Sequence, residues 1–290
     1  MLGSLKALPN DVKLLTLAKI KVDSVLAFRY FRIKFNGIFG PFPRPDKWVF
    51  IVGCYNSGTT LLHKLLAAHP DIGSMANEGQ FYTDQLVLPR SVGLYRSWAI
   101  KPEQFYLDEN SPTDINVNKL KRQWGAQFND PTRLVLLEKS PTNAARTRWL
   151  QKHFENAHFI GIVRNGYVVA EGIHRKSHHP LEVAAKQWAC SNEIMLRDFE
   201  LLNHQLLIRY EDLVTSPNQT FEKMLAFVGL SNYGPENIAD RIWSIHKEVS
   251  PIRDMNHRSL TALSQSERDI IRTAAGDMLS RLGYDTQLEV

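Results

Sequence analysis

The sequence predicts an α/β protein that forms a single domain, with a central parallel sheet flanked by helices. Continuous apolar, β-branched runs of strand length alternate along the chain with amphipathic segments of helical period. This alternation is typical of a parallel sheet that is covered on both faces. In addition, a Gly53-x₄-Gly58 turn connects the first apolar run to the first helical segment. Because this is the glycine spacing of a P-loop, we expect the fold to be P-loop-like.

The predicted elements follow one another from residue 48 onward. Three strand-to-helix units come first, at residues 48–69, 134–155 and 158–176. A long helix at 181–202, a strand at 204–213 and a helix at 220–230 come next. In such sheets, ligands bind beyond the carboxyl ends of the strands. The candidate site residues described below all lie at or after those ends.

Two further regions are less regular. Residues 79–133 contain scattered prolines and no sustained period, so we expect irregular helices and loops that cover the site. Near the C-terminus, the segment SQSERDIIRTAAGDMLSRLGY predicts an amphipathic helix with Ser266 as its N-cap.

Charge divides the chain into two parts. The formal net charge is +5, and residues 1–47 carry nine Lys or Arg against three Asp. We therefore predict a basic amphipathic helical segment at 1–47 and the α/β domain at 48–290. Residues 11–39 place apolar side chains at helical spacing between basic ones. This pattern fits either a helix packed on the domain or peripheral contact with an anionic membrane surface or a partner.

Composition also limits the classes of protein. The two cysteines, Cys54 and Cys190, make no disulfide framework. The sequence shows no cleavable signal pattern and no apolar run of about 20 residues, the length that a spanning helix needs. We therefore expect a cytoplasmic location. No segment interleaves arginines and aromatics as nucleic-acid modules do, so we expect no nucleic-acid partner. The oligomeric state is left open.

The turn at Gly53–Gly58 predicts an anion-binding loop. Backbone N–H groups of the turn and of the following helix start would face an anion, and the hydroxyls of Ser57, Thr59 and Thr60 would add donors. However, Thr59 stands where a nucleotide-triphosphate P-loop places its lysine. The sequence also offers no compelling acidic residue to hold Mg²⁺. These differences weaken a kinase or ATPase interpretation.

Three motifs together resemble a known family. NSGTTLL at 56–62, HFIGIVRNG at 158–166 and LLIRYEDLV at 206–214 resemble the sulfotransferases that use 3′-phosphoadenosine 5′-phosphosulfate (PAPS), closest in style to the bacterial and tyrosylprotein types. The similarity covers roughly residues 48–285. It implies PAPS as the co-substrate, with no metal, and it implies that residues 56–61 bind the 5′-phosphosulfate and Arg164 the 3′-phosphate.

The resemblance and the chemistry together give the candidate residues. Glu78 is the candidate general base, Lys139 is expected to face the transferred group, and Asn56 is expected beside the leaving group. The expected PAPS-binding residues are Asn56, Ser57, Gly58, Thr59, Thr60, Leu61, Arg164, Gly172, Lys176, Tyr210 and Arg253. We expect the histidines at 174, 178 and 179 to be structural or solvated rather than metal ligands.

Two positions depart from the family pattern. The family commonly has Arg or Lys where Asn56 stands, and commonly has Ser where Gly172 stands. Asparagine can donate a hydrogen bond but carries no charge. Either other donors compensate, with Lys139, Arg175, Lys176 or Arg253 as candidates, or catalysis is weakened.

The predicted function is transfer of a sulfuryl group from PAPS to a hydroxyl or amine of an acceptor, which we expect to be a small metabolite or a glycoside. The alternatives are a P-loop kinase of small molecules and a non-catalytic nucleotide-binding scaffold. Segments 79–133 and 244–260 are expected to form the acceptor pocket. Its candidate lining residues are Tyr82, Tyr95, Trp98, Trp124, Trp243 and His257.

Overall fold

The computed structural model of the chain describes residues 26–231, 238, 241–245 and 248–285. Its main sheet has five parallel strands in the order β2-β3-β1-β4-β5. The strands are β1 (Lys47–Gly53), β2 (Ile72–Ser74), β3 (Val135–Lys139), β4 (Ala157–Val163) and β5 (Gln205–Arg209). A separate antiparallel pair consists of β6 (Trp243–Ile245) and β7 (Glu248–Ser250). The predicted α/β fold with a central parallel sheet is confirmed.

Helices cover both faces of this sheet. They are α1 (26–39), α2 (Thr59–Ala67), α3 (Val117–Gly125), α4 (Thr147–His153), α5 (Gly166–Ser177), α6 (Leu181–Phe199), α7 (Tyr210–Thr215), α8 (Pro217–Val228), α9 (Asn256–Ala262) and α10 (Gln265–Arg281). Each strand-to-helix unit that the sequence predicts is present. The boundaries differ at β5, because the chain turns into α7 at Tyr210 instead of continuing as a strand.

Strand β1 explains the continuous apolar run in the sequence. Phe50 and Val52 pack into a core beneath α5, α6 and α10, whereas Val49 and Ile51 pack into a second core with α2 and α8. Because both faces of the strand are buried, alternate polar residues would be buried without partners. The central position of β1 thus fixes where its carboxyl end, and the turn after it, can lie.

Six elements of the structure were absent from the sequence prediction, namely β2, β6, β7, α3, α7 and α9. Strand β2 is three residues long and pairs with the outer edge of β3, which is too short for a periodic signal. Helix α3 lies within the segment expected to be irregular, and it begins where the Asn116 side chain accepts a hydrogen bond from the Lys119 N–H. The rest of that segment contains short 3₁₀ turns, as expected.

The described part of α1 packs on the domain through its polar side. Gln123 Nε2 donates to the carbonyl of Ile33 at 3.0 Å, and Lys34 pairs with Asp84 at 2.6 Å. The opposite face of the helix exposes Phe31 and Phe35. The prediction for residues 1–25 lies outside the described residues, and both the domain boundary and the membrane contact stay predictions. Within the described residues, none of the helices has the length and apolar character needed to span a bilayer.

The N-cap of helix α10 lies two residues before the predicted one. Ser264, not Ser266, is the N-cap, and it forms a capping box with Glu267. The Ser264 N–H donates to Glu267 Oε2 at 2.8 Å, and the Glu267 N–H donates back to Ser264 Oγ at 3.4 Å. The prediction of Ser266 was wrong because the reciprocal pair requires a spacing of three residues between Ser and Glu.

We expect Ser264→Ala to lower the free energy of unfolding by about 1 kcal/mol, because it leaves a helix N–H without its acceptor. Urea unfolding followed by circular dichroism would measure the change. Ser266→Ala is the matched control and should have a much smaller effect. A larger loss for the control than for Ser264→Ala would contradict the assignment of the cap.

Candidate active site

The turn after β1 is shaped by residues in the left-handed region of backbone space. Asn56 has φ 63° and Gly58 has φ 104°. A Cβ on Gly58 would lie 2.9 Å from the ring of Tyr210, so only glycine fits there without displacing the ring. Helix α2 then starts at Thr59, and no side chain caps its N-terminus. The N–H groups of its first turn therefore remain available for a ligand.

A cavity of about 400 Å³ opens above this turn. All the predicted site residues line it except Ser57 and Lys139. Ser57 lies within the turn, fully buried, and its Oγ has no hydrogen-bond partner among the described residues. A buried hydroxyl without a partner is unfavourable, so this atom fits a loop that is completed by an anion.

The lining of the cavity is strongly cationic. Its lysine and arginine side chains, as far as the chain is described, are Arg96, Arg164, Arg175, Lys176, Arg253 and Arg258. Glu78 is the carboxylate among those described lining residues. A concave site with this excess of positive charge attracts and binds anions. The sequence predicted Arg164, Lys176 and Arg253 here and raised Arg175 as a possible donor, but it missed Arg96 and Arg258.

Arg164 joins the loop to the neighbouring elements. Its Nη1 donates to the carbonyl of Asn56 at 3.0 Å, and its Nε donates to Asn256 Oδ1 at 2.8 Å. The guanidinium also lies over the ring of Tyr210, 3.8 Å from the ring centroid. Burial lowers the pKa of Arg164 from its ordinary value. Arg164 thus braces the turn from the end of β4 and also faces the cavity.

Glu78, which lines the cavity, forms an ion pair with Lys139. Lys139 Nζ lies 3.2 Å from Glu78 Oε1, and Gln80 Nε2 donates to Glu78 Oε2 at 2.6 Å. Lys139 is buried and does not belong to the cavity lining. This pair places a carboxylate that can accept a proton next to a cation.

Glu138 positions the Glu78 segment. It is fully buried, accepts a hydrogen bond from the Gly79 N–H at 2.8 Å and another from Asn143 Nδ2 at 2.6 Å, and also bonds the Ser140 hydroxyl. Burial raises the pKa of this carboxyl to about 7. Glu138 therefore acts on the site through the backbone that carries Glu78.

The two departures from the family pattern lie against each other. A Cβ on Gly172 would lie 3.2 Å from Asn56 Nδ2. Asn56 Oδ1 accepts hydrogen bonds from Lys176 Nζ at 2.9 Å and from Arg96 Nη1 at 3.3 Å. Asparagine is also one of the few residues that adopt the left-handed conformation readily. The neutral side chain at position 56 is thus surrounded by positive charge.

Two of the expected acceptor-pocket residues are instead part of the hydrophobic core. Trp98 and Trp124 are both 0% exposed. The sequence prediction failed for them because aromatic content alone does not distinguish residues that line a pocket from residues of the hydrophobic core. Trp243 does line the cavity, whereas His257 does not belong to its lining.

The three histidines expected to be structural or solvated either hydrogen-bond backbone carbonyls or end a helix. His174 Nδ1 hydrogen-bonds the carbonyl of His179 at 2.6 Å, and His178 ends α5 in the left-handed conformation. His179 Nε2 bonds the carbonyl of Tyr95 at 2.6 Å. Within the described residues, no group of three or more His, Cys, Asp or Glu side chains is arranged to hold a metal ion.

Comparison with known proteins gives the family. Residues 49–234 match the model described as the sulfotransferase family, and the chain belongs to that family. It is a PAPS-dependent sulfotransferase. The chain is 23% identical to protein-tyrosine sulfotransferase 2 of Gallus gallus, over 82% of this chain and 69% of the relative. It is 25% identical to protein-tyrosine sulfotransferase 1 of Danio rerio, over 82% of this chain and 72% of the relative.

Among solved structures, the chain is similar in fold to the sulfotransferase STF9 from Mycobacterium avium. The TM-score is 0.51 at 12% identity, with 87% of this chain and 80% of that chain covered.

The predicted cytoplasmic location is wrong. It was inferred from the lack of a cleavable signal pattern and of a spanning apolar run, whereas the curated relatives are named protein-tyrosine sulfotransferases.

The pKa of Lys176 gives a testable pH dependence. Burial, with the nearby charges of Arg96, Arg175 and Arg164, lowers this pKa to about 8, and Glu171 opposes the shift. A bound anion favours the charged lysine. The affinity for 3′,5′-adenosine bisphosphate should therefore fall as the pH rises through about 8.

Calorimetric titrations at about pH 7 and about pH 9, on either side of this pKa, would measure the change. Lys176→Gln should bind more weakly at the lower pH and lose most of the difference between the two pH values. An equally steep pH dependence in the variant would show that another group is responsible.

Proposed function

We propose that this chain transfers the sulfuryl group of PAPS to the phenolic hydroxyl of a tyrosine in a protein or peptide. The observation that carries the proposal is the ion pair of Glu78 with Lys139, in which Glu78 lines a cationic cavity above an anion-binding loop. The choice of a tyrosine acceptor is supported by the relatives, which are named protein-tyrosine sulfotransferases. It replaces the small metabolite or glycoside that the sequence favoured.

Residues 56–61 and their neighbours in the cavity fit the donor. In our proposal, the backbone and hydroxyls of residues 56–61 hold the 5′-phosphosulfate, and Arg164 holds the 3′-phosphate. Lys176, Tyr210 and Arg253 line the same cavity and would contact the nucleotide. A sulfuryl group carries less negative charge than a phosphoryl group, so cationic side chains and oriented amides can stabilise its transfer. The unpartnered Ser57 hydroxyl would gain an acceptor on binding.

The transfer step uses Glu78 and Lys139. The bond between the acceptor oxygen and sulfur forms while the bond between sulfur and the 5′-phosphate oxygen breaks, and that oxygen keeps the bonding electrons. Glu78 takes the proton of the phenol. Once Glu78 is neutral, the Lys139 ammonium loses its ion-pair partner and can stabilise the charge that develops on the leaving oxygen. Because Glu78 and Lys139 are in contact, proton transfer to Glu78 would free the Lys139 ammonium to stabilise the leaving oxygen.

Thermal unfolding tests the donor. We expect 3′,5′-adenosine bisphosphate to raise the midpoint temperature without Mg²⁺, because a ligand that binds the folded state stabilises it. Stabilisation by Mg-ATP alone would instead support a kinase. Binding of the bisphosphate without any transfer of labelled sulfate to any acceptor would support a scaffold.

Matched peptides test the acceptor. We expect transfer of labelled sulfate to a tyrosine-containing peptide and none to the same peptide with phenylalanine, which lacks only the hydroxyl. A glycoside and a small phenol serve as comparison acceptors. Preferential labelling of the glycoside would overturn the tyrosine proposal and leave the sulfotransferase activity standing.

Glu78→Gln should reduce kcat by about 100- to 10,000-fold, because the amide cannot accept the acceptor proton. Binding of 3′,5′-adenosine bisphosphate should change little, because the proposed role of Glu78 is confined to the acceptor. Glu103→Gln, at an exposed glutamate remote from the cavity lining, is the matched control. An active Glu78→Gln enzyme would require a different base.

A further inference from the structure

We infer that Arg96, together with Lys176, supplies the positive charge that this family commonly carries on the residue at position 56, and that Asn56 holds these two cations over the loop. The inference rests on the proposed use of PAPS as donor. Lys176 was expected among the donor-binding residues, whereas Arg96 lies outside every motif of the sequence. The new assignment is therefore Arg96 as a residue that contacts the anionic donor.

Two cations converge on one atom of Asn56. Arg96 Nη1 and Lys176 Nζ both donate to the same Oδ1 atom, at 3.3 and 2.9 Å. All three residues line the cavity, next to Gly58 and Thr59 at the start of α2. An asparagine oxygen can orient two cations without neutralising them, which a carboxylate at this position would do. The positive charge that the family commonly has at position 56 is thus provided here by two side chains from other segments, Arg96 and Lys176.

The surroundings of Arg96 hold its backbone and side chain in place. Arg96 has φ 58°, a conformation that is unfavourable for a long side chain and persists only where the surroundings impose it. Its guanidinium lies over the rings of Tyr55 and Tyr95, 5.6 and 5.4 Å from their centroids, and its Nε donates to Tyr95 Oη at 3.1 Å. Two residues later, the fully buried Trp98 fixes the chain in the core.

The loop of Arg96 is also tied to the helix that carries Lys176. The hydrogen bond from His179 to the carbonyl of Tyr95 connects the segment just after α5 with the residue before Arg96. His178, which adopts the left-handed conformation, ends the helix and turns His179 toward this loop. Arg96 and Lys176 therefore reach Asn56 from two segments that are held together.

Gly172 provides the space for this arrangement. It lies one turn before Lys176 on α5, beneath the Asn56 side chain, where a Cβ would lie 3.2 Å from Nδ2 and 3.3 Å from Cγ. A Cβ at 172 would crowd the Asn56 side chain, which would have to shift by a few tenths of an ångström. The two departures from the family pattern are thus parts of one arrangement.

The charges show that the arrangement suits an anion. In the described part of the chain, neither Arg96 nor Lys176 makes an ion pair, while the adjacent Arg175 pairs with Glu171 at 2.7 Å. Cations that converge without a counter-ion repel one another, and a bound phosphate or sulfate relieves that repulsion. Their position beside the loop matches the end of the donor at which charge develops during transfer.

The test compares Arg96 with Arg90. Both guanidinium groups lie over the Tyr95 ring, at 5.4 and 5.3 Å from its centroid, but only Arg96 bonds Asn56 and lines the cavity. We expect Arg96→Gln to weaken binding of 3′,5′-adenosine bisphosphate by about 10- to 100-fold in calorimetry, as for a lost hydrogen bond to a charged group. Arg90→Gln should leave the affinity unchanged. Arg96→Lys should recover most of the lost affinity, since it restores the charge.

The outcomes separate this inference from the proposed function. If the unchanged protein binds the bisphosphate and Arg96→Gln binds it equally well, the inference is overturned and the proposed function stands. If Arg96→Lys is as weak as Arg96→Gln, the charge is not the cause and the inference also falls. Failure of the unchanged protein to bind the bisphosphate would overturn both.

A second variant covers the case in which Arg96→Gln does not fold. Asn56→Asp keeps the shape of the side chain and its bonds to Arg96 and Lys176 but neutralises part of their charge. We expect a loss of affinity of about 10-fold or more. Unchanged affinity in this variant would overturn the inference.

Discussion

The hydrogen bond from Arg164 to the carbonyl of Asn56 joins the ends of β1 and β4, and the geometry of the site depends on it. It holds the turn at the point where the chain leaves a strand buried on both faces. The same guanidinium stacks on Tyr210, and that ring in turn leaves room only for glycine at position 58. Loop, strand end and ring thus determine one another's positions, so the anion-binding N–H groups are oriented before any ligand arrives.

The site separates two kinds of electrostatic environment. On the loop side, Arg96 and Lys176 line the cavity and form no ion pair with the described residues. On the acceptor side, Glu78 and Lys139 form a compact pair supported by the buried Glu138 network. The first environment favours binding of a multiply charged anion, and the second favours movement of a proton. One cavity can therefore both hold a donor and activate an acceptor.

The sequence predicted those parts of the molecule in which local pattern decides structure. Strands β1, β3 and β4 are buried on both faces and so read as apolar runs, and the loop residues follow from glycine spacing. It did not predict β2 or α3, which are only three and nine residues long. It predicted Ser266 rather than Ser264 as the cap of α10, because the apolar period alone does not show the reciprocal pairing of Ser264 with Glu267. Arg96 could not be found, because its role arises from a tertiary contact with Asn56 and from no spacing along the chain.

The close approach of Gly172 to Asn56 has a consequence for how such a site can change through mutation. With a larger residue at 172, the Asn56 side chain would have to shift from the position in which both cations donate to it. The effect of a substitution at either of these two positions therefore depends on the residue at the other. The identity of these two residues, considered as a pair, is then a marker that distinguishes relatives with the charge on the loop from relatives that carry it on neighbouring segments.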